Sequence, residues 1–223
     1  MTTARPRKPA TITGRATRSG IAAAALAATA VAILTPTKAN ADTPCSAVDL
    51  VVARGTGEGG ELGAEVGDPL FAAVRAAAPV SVNAYRVDYS ANLSFSVGAG
   101  SADVVDHIAR QAAECPSQRF VLVGYSQGAA VVHTALGSAL TDLIPGATRL
   151  PDGLANRIAG IELFGDLGNN LGVDVPGRYA ARTRSFCRPG DPICWRGGQN
   201  WPAHIAYGDD IATAAAWITD QIR

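Results

Sequence analysis

The run Phe120-Val121-Leu122-Val123, followed at once by Gly124-Tyr125-Ser126-Gln127-Gly128 and then Ala129-Ala130-Val131-Val132, admits few backbones. The apolar stretch reads as a buried strand, and the alanine- and valine-rich segment behind it reads as a helix. Joining them without a loop demands a sharp turn, across which a Cβ at either glycine would clash. Such a turn lifts the Ser126 hydroxyl above the end of a sheet and aims a helix N-terminus at it. The motif predicts serine-hydrolase chemistry. It also occurs by chance in loops, where the serine is only a small turn residue, so a base and an acid must be found downstream.

Elsewhere, apolar runs alternate with helix-like segments, which predicts an α/β domain. Strands are expected at 48–53, 80–87, 119–124, 158–164 and 183–186. Helices are expected at 63–77, 102–114 and 126–141, with a last amphipathic one over 205–222. Residues 145–155 and the glycine-rich 165–177 read as loops. The pattern describes a small, mainly parallel, doubly wound sheet of five strands with helices on both faces, and with functional loops at the strand C-terminal ends. Neither an internal repeat nor an interdomain linker interrupts it.

The first forty-one residues stand apart. Arg5, Arg7, Lys8, Arg15 and Arg18 form a basic region, an apolar run follows over 20–34, and Ala39-Asn40-Ala41 is a small-x-small cleavage signature. Residues 1–41 are expected to be a secretory signal, on the general route because no adjacent arginine pair is present. An uncleaved anchor is the competing reading, disfavoured by the low leucine content and the cleavage motif. Residues 42–223 then form one domain, with no further membrane-spanning stretch. Six of the nineteen basic residues lie in the signal, which leaves thirteen arginines against nineteen acids and a formal charge of −6. That balance argues against nucleic acid as a partner. The four cysteines, Cys45, Cys115, Cys187 and Cys194, all fall after the signal, and in an exported chain they predict two disulfides with three possible connectivities. Zinc fits poorly, since there is no CxxC pair and the histidines are scattered.

A serine needs a base, and the base needs an acid. Of the three histidines, His133 sits seven residues after Ser126 on the same predicted helix, roughly 10 Å away along its axis, too far to bond. His107 precedes the serine on an acidic helix beside Asp103 and Asp106, where a solvated surface role is expected. His204 follows the last strand, where the order Ser…Asp…His places a base. The acid comes from Asp142, Asp152, Glu162, Asp166, Asp174 or Asp191. Asp166 and Asp191 each follow a strand. Asp191 is favoured because it lies between two cysteines on the strand preceding His204, and Asp166 is otherwise a turn or helix-cap residue. For the oxyanion, the backbone N–H of Gln127 and the loop Arg54-Gly55-Thr56-Gly57-Glu58 are the candidate donors, the Thr56 hydroxyl included. This glycine-rich loop lacks the Lys-Ser/Thr ending of a phosphate-binding loop.

Four blocks together make the chain resemble the secreted microbial cutinases, in their actinobacterial cutinase-like branch. They are Ala53-Arg54-Gly55-Thr56, Cys115-Pro116 ahead of Gly124-Tyr125-Ser126-Gln127-Gly128-Ala129, Cys187-Arg188-Pro189-Gly190-Asp191-Pro192-Ile193-Cys194, and Ala203-His204-Ile205-Ala206-Tyr207. The resemblance covers nearly all of the chain after the signal. It implies a lidless α/β-hydrolase with Ser126 as nucleophile, His204 as base and Asp191 as acid, with Thr56 and Gln127 in the oxyanion hole. It further implies disulfides Cys45–Cys115 and Cys187–Cys194, no metal or other cofactor, and Asn92 in support of the oxyanion loop. A monomer acting on an ester or lipid-like substrate is expected. Trp195, Trp201, Pro202 and Ile205 around the histidine suggest an apolar rim for an acyl chain. Cutin, polyester and short- to medium-chain esters or lipids are the candidate substrates. An acetyl-polysaccharide esterase and a catalytically silent secreted binding protein are the alternatives, the latter disfavoured by the intact Ser126, Asp191 and His204.

Overall fold

In the computed structural model, which describes residues 45–223, the apolar runs pair into one sheet. Its strands are β1 (Val48–Ala53), β2 (Val82–Arg86), β3 (Arg119–Tyr125), β4 (Ile158–Phe164) and β5 (Thr183–Phe186). The order is β2-β1-β3-β4-β5 and every pairing is parallel. Parallel strands need crossovers, and these place helices on both faces, so β1 is buried along its whole length and is apolar except at Asp49. Edge strand β2 is only partly buried, and it is shorter than the apolar run that predicts it.

Seven helices complete the described residues: α1 (Gly67–Ala77), α2 (Val97–Glu114), α3 (Gln127–Leu136), α4 (Leu167–Leu171), α5 (Gly177–Ala180), α6 (Trp201–His204) and α7 (Ile211–Gln221). Side chains alternate across the strands to make two cores. Leu122, Ile161 and Leu163 pack beneath α2 and α3, while Val121, Val123 and Phe164 pack beneath α1 and α7. Among the boundaries that differ from expectation, three lie after β3. Helix α3 stops at Gly137, which adopts a left-handed φ of 78°. Within the expected loop 165–177, the Asp166 side chain caps α4 by accepting from Gly168 N. The last helix begins only after a 3-10 turn over Tyr207–Asp210.

The chain runs from β1 to the edge at β2 and returns to the other side of β1 as β3. The strand order therefore reverses between β1 and β3, and a crevice opens beyond their C-terminal ends, the usual place for a ligand in such sheets. The Thr56 loop leaves β1 there and Ser126 leaves β3 there. Cys45 is bonded to Cys115 and Cys187 to Cys194. The first closes a long loop onto the start of β3, worth roughly 4 kcal/mol on the chain-entropy account. The expected signal segment lies outside the described residues. Among the described residues no helix is long and apolar enough to cross a membrane, and no cluster of three or more His, Cys, Asp or Glu could hold a metal.

Candidate active site

Ser126 occupies the turn between β3 and α3 with φ of +55°, a left-handed conformation rare for a residue with a Cβ. Two contacts force it. A Cβ on Gly124 would lie 2.6 Å from Gly128 O, and one on Gly128 would lie 1.9 Å from Ala53 O. Only glycines let the turn close against β1. Ser126 N–H donates to Phe164 O at 2.9 Å, which anchors the turn to β4 as well. We therefore expect Gly128→Ala to lower stability by about 1–3 kcal/mol or more through backbone displacement, read as a fall in Tm, with activity lost alongside it.

His204, at the end of α6, approaches Ser126 Oγ with Nε2 at 2.9 Å and Asp191 Oδ2 with Nδ1 at 2.8 Å. The three side chains expected to work together are thus in one hydrogen-bonded line. Asp191 sits in the tight loop closed by Cys187 and Cys194 and is fully buried. Its Oδ1 accepts from Ile193 N at 2.7 Å and Cys194 N at 3.3 Å, while Tyr207 OH donates to Oδ2 at 2.6 Å. Burial alone would raise the Asp191 carboxyl, but the bonds from Tyr207, His204 and the Ile193 N–H outweigh it and hold the group below the usual carboxylate range. The His204 backbone is anchored through its carbonyl, which accepts from Tyr125 OH at 2.7 Å.

Asp166 is committed elsewhere. Its Oδ2 lies 3.0 Å from His133 Nε2, and its Oδ1 accepts from Gly168 N. His107 departs from the solvated role expected of it. It is buried, with Nε2 2.7 Å from Asp49 Oδ2 on β1 and its ring stacked on Tyr85 at 3.5 Å. Each histidine therefore has an aspartate, and among the described residues only His204 also has a serine.

The oxyanion candidates face each other across the crevice. Gln127 Nε2 donates to Thr56 Oγ1 at 3.0 Å and to Asn92 O at 2.9 Å. With its acceptor side occupied, the Thr56 hydroxyl is free to donate toward the cleft. The Asn92 side chain does not support this loop; its Oδ1 accepts from Ser94 N, and only its backbone carbonyl reaches the site, through Gln127. Glu58, which sequence reasoning passed over, braces the loop by accepting from Gly55 N and from Glu65 N. Burial pushes its carboxyl up.

Above these groups lies a cleft of about 550 Å³. Glu58 and Glu65 are among its lining, and much of the rest is apolar, formed by Leu93, Phe95, Ala130, Leu167, Ile193, Trp201 and Ile205. Trp201 and Ile205 line it as expected. Trp195 is exposed away from it, and Pro202 faces a different surface hollow. Leu93, 89% exposed, and Phe95 also line the cleft, on a segment with no periodicity to announce it.

The family profile described as cutinase matches residues 44–222. The phospholipase Culp4 of Mycobacterium tuberculosis is 37% identical over 209 residues, which cover 91% of this chain and 91% of that protein. Among solved structures, a Trichoderma reesei cutinase in complex with a phosphonate inhibitor superposes with a TM-score of 0.66 at 29% identity, covering 81% of this chain and 78% of that one. The catalytic core domain of an acetyl xylan esterase from Trichoderma reesei gives a TM-score of 0.68 at 25% identity, covering 79% and 99%. By sequence and by fold, the chain belongs to the cutinase family and is a carboxylic ester hydrolase.

Proposed function

We propose that this chain is a secreted serine esterase that uses Ser126, His204 and Asp191 to hydrolyse carboxylic esters bearing a short- to medium-length apolar acyl group. The observation that carries the reading is the unbroken line Ser126 Oγ, His204 Nε2, His204 Nδ1, Asp191 Oδ2 at the floor of an apolar cleft. Ser126 Oγ attacks the ester carbonyl while His204 Nε2 takes its proton, and Asp191 stabilises the imidazolium. The oxyanion is held by the N–H groups of Gln127 and Thr56 and by the Thr56 hydroxyl. His204 returns the proton to the departing alcohol, and water then releases the acid from Ser126 by the same steps. Export is supported by the basic, apolar and small-x-small order of residues 1–41 and by two disulfides in the domain that follows.

The names of the relatives span a phospholipase, a cutinase and an acetyl xylan esterase, so the family does not select the ester. The cleft favours an apolar acyl chain over an acetyl group, because Leu93, Phe95, Trp201 and Ile205 would gain nothing from acetate. Removing them from water is worth about 25 cal/mol per Å² of apolar area. Initial rates on p-nitrophenyl esters of increasing chain length, beside a phospholipid, an emulsified triglyceride, a polyester film and acetylated xylan, test this. The expected result is a maximum in kcat/KM at butyrate to octanoate with turnover of the film. A maximum on acetylated xylan, or a steep rise toward long chains and emulsified triglyceride, would contradict it.

A further inference from the structure

Tyr207 lies three residues past His204, and the reaction above gives it no part. It is completely buried. Its hydroxyl contacts Asp191 Oδ2 at 2.6 Å, the same oxygen that meets His204 Nδ1 at 2.8 Å. The direction of that bond is fixed by what surrounds the phenol. Arg188 N–H donates to its oxygen at 3.4 Å, and Cys194 Sγ, at 3.5 Å, is in a disulfide and has no hydrogen to give. The single phenolic hydrogen goes to the carboxylate. Asp191 thus accepts four hydrogen bonds, two at each oxygen.

We propose that Tyr207 is a positioning residue of the hydrolytic site, pinning the Asp191 carboxylate and dividing its charge so as to set the basicity of His204. This rests on the triad reading above. A donor on a carboxylate oxygen lowers the charge that oxygen offers to its other partner. Without the phenol, Asp191 stabilises the imidazolium form of His204 more strongly, and His204 stays protonated to higher pH. Asp191 also loses one of the bonds that fix its orientation.

The other charged and titratable groups around Tyr207 would be unchanged by removing one oxygen atom. Glu65 accepts from its backbone N–H at 3.1 Å, Tyr125 meets its ring edge-on at 5.9 Å, and the Arg188 guanidinium lies 6.0 Å from the ring while paired with Asp209 and Asp210. Glu58 stands one step further off, on Glu65 N.

Tyr207→Phe keeps the ring and removes the donor. The acid limb of kcat/KM against pH, measured on p-nitrophenyl butyrate, should move to higher pH by about half to one unit. The plateau kcat should fall about three- to tenfold with KM unchanged. Incorporating 3-fluorotyrosine at position 207 keeps the hydroxyl and makes it a stronger donor, so the limb should move the opposite way. That second protein decides the matter if the phenylalanine variant does not fold. The low-field Nδ1–H proton resonance of His204 should titrate with the same displacements, which a packing role would not produce. Limbs and resonances that superpose on wild type in both variants would overturn the proposal. A folded Ser126→Ala enzyme that turned over at the wild-type rate would instead overturn the triad itself, so the two failures are distinguishable.

Discussion

Replacing Ser126 by alanine is expected to lower kcat on p-nitrophenyl butyrate by about 10⁴- to 10⁶-fold, on the order of 5–8 kcal/mol of transition-state stabilisation. The size follows from what would remain. The Gln127 and Thr56 donors and the apolar cleft still bind and polarise an ester, and His204 can still activate a water, so a residual rate above solution is expected. Stability should barely change. Ser126 Oγ bonds only to His204, and alanine inherits the same φ of +55° with no larger side chain. An organophosphonate probe supplies the independent reading: wild type should gain one phosphonyl mass and lose activity, and the alanine variant should do neither. Asp191→Asn should cost about 10⁴-fold by holding His204 in the wrong tautomer. A folded Ser126→Ala protein with wild-type turnover would remove the serine from the mechanism.

The same residues show why some of this was legible in the chain and some was not. Strands β1 and β4 begin and end where the sequence places them, because burial along most of their length leaves a polar residue only at Asp49 and Glu162, whereas edge strand β5 has only Phe186 buried. Ser126 and Asp191 stood out because each follows a strand end closely, and chain order then pointed to His204, ahead of the last helix. Helix α2 was harder. Gly98 and Gly100 weaken its helical signal, so the periodicity suggests a start near Ala102 rather than Val97. Those glycines are required by tertiary contact: a Cβ on Gly98 would sit 2.1 Å from Pro145 O, and one on Gly100 would sit 2.8 Å from Val131 Cγ2. His107 misled for a related reason. Its acidic neighbour Asp103 is turned toward Tyr85 OH and Asp88 N, while its true partner, Asp49, is fifty-eight residues away on β1. Glu58, on Gly55 N and Glu65 N, and Tyr207, on Asp191 Oδ2, act through hydrogen bonds that the folding of the loops sets and no residue spacing encodes.

Glu162, whose unpaired burial no local pattern encodes either, carries the second large expectation. It lies on β4 between Ile161 and Leu163, and by strand alternation it points with Phe164 toward α1 and α7. It is fully buried, and neither carboxylate oxygen has a hydrogen-bond partner. Burial pushes its carboxyl from 4.5 up to about 8, against the pull of Arg184 opposite it on β5. Between those two values the unfolded chain releases this proton and the folded chain keeps it. The unfolded state then binds fewer protons, so this group makes stability fall as pH rises across the window, by on the order of 5 kcal/mol in total. Above pH 8 both states are ionised and the slope from Glu162 ends. Glu162→Gln removes the titration while keeping the volume. Roughly 3.5 kcal/mol of the total is lost between pH 5 and pH 8, so relative to wild type its Tm should rise by about 7–14 °C more at pH 8 than at pH 5. Thermal melts of both proteins from pH 5 to 9 read this directly, since every other ionisable group cancels in the comparison. A difference in Tm that stayed constant with pH would mean that Glu162 does not titrate in this range. The consequence reaches the chemistry through β4 itself. Phe164 O holds Ser126 N at 2.9 Å, and a Cβ on Gly165 would lie 2.7 Å from His204 Cε1. A strand weakened by alkali is the same strand that fixes Ser126 and backs His204, so the half-life of activity at pH 9 should lengthen in Glu162→Gln along with its Tm.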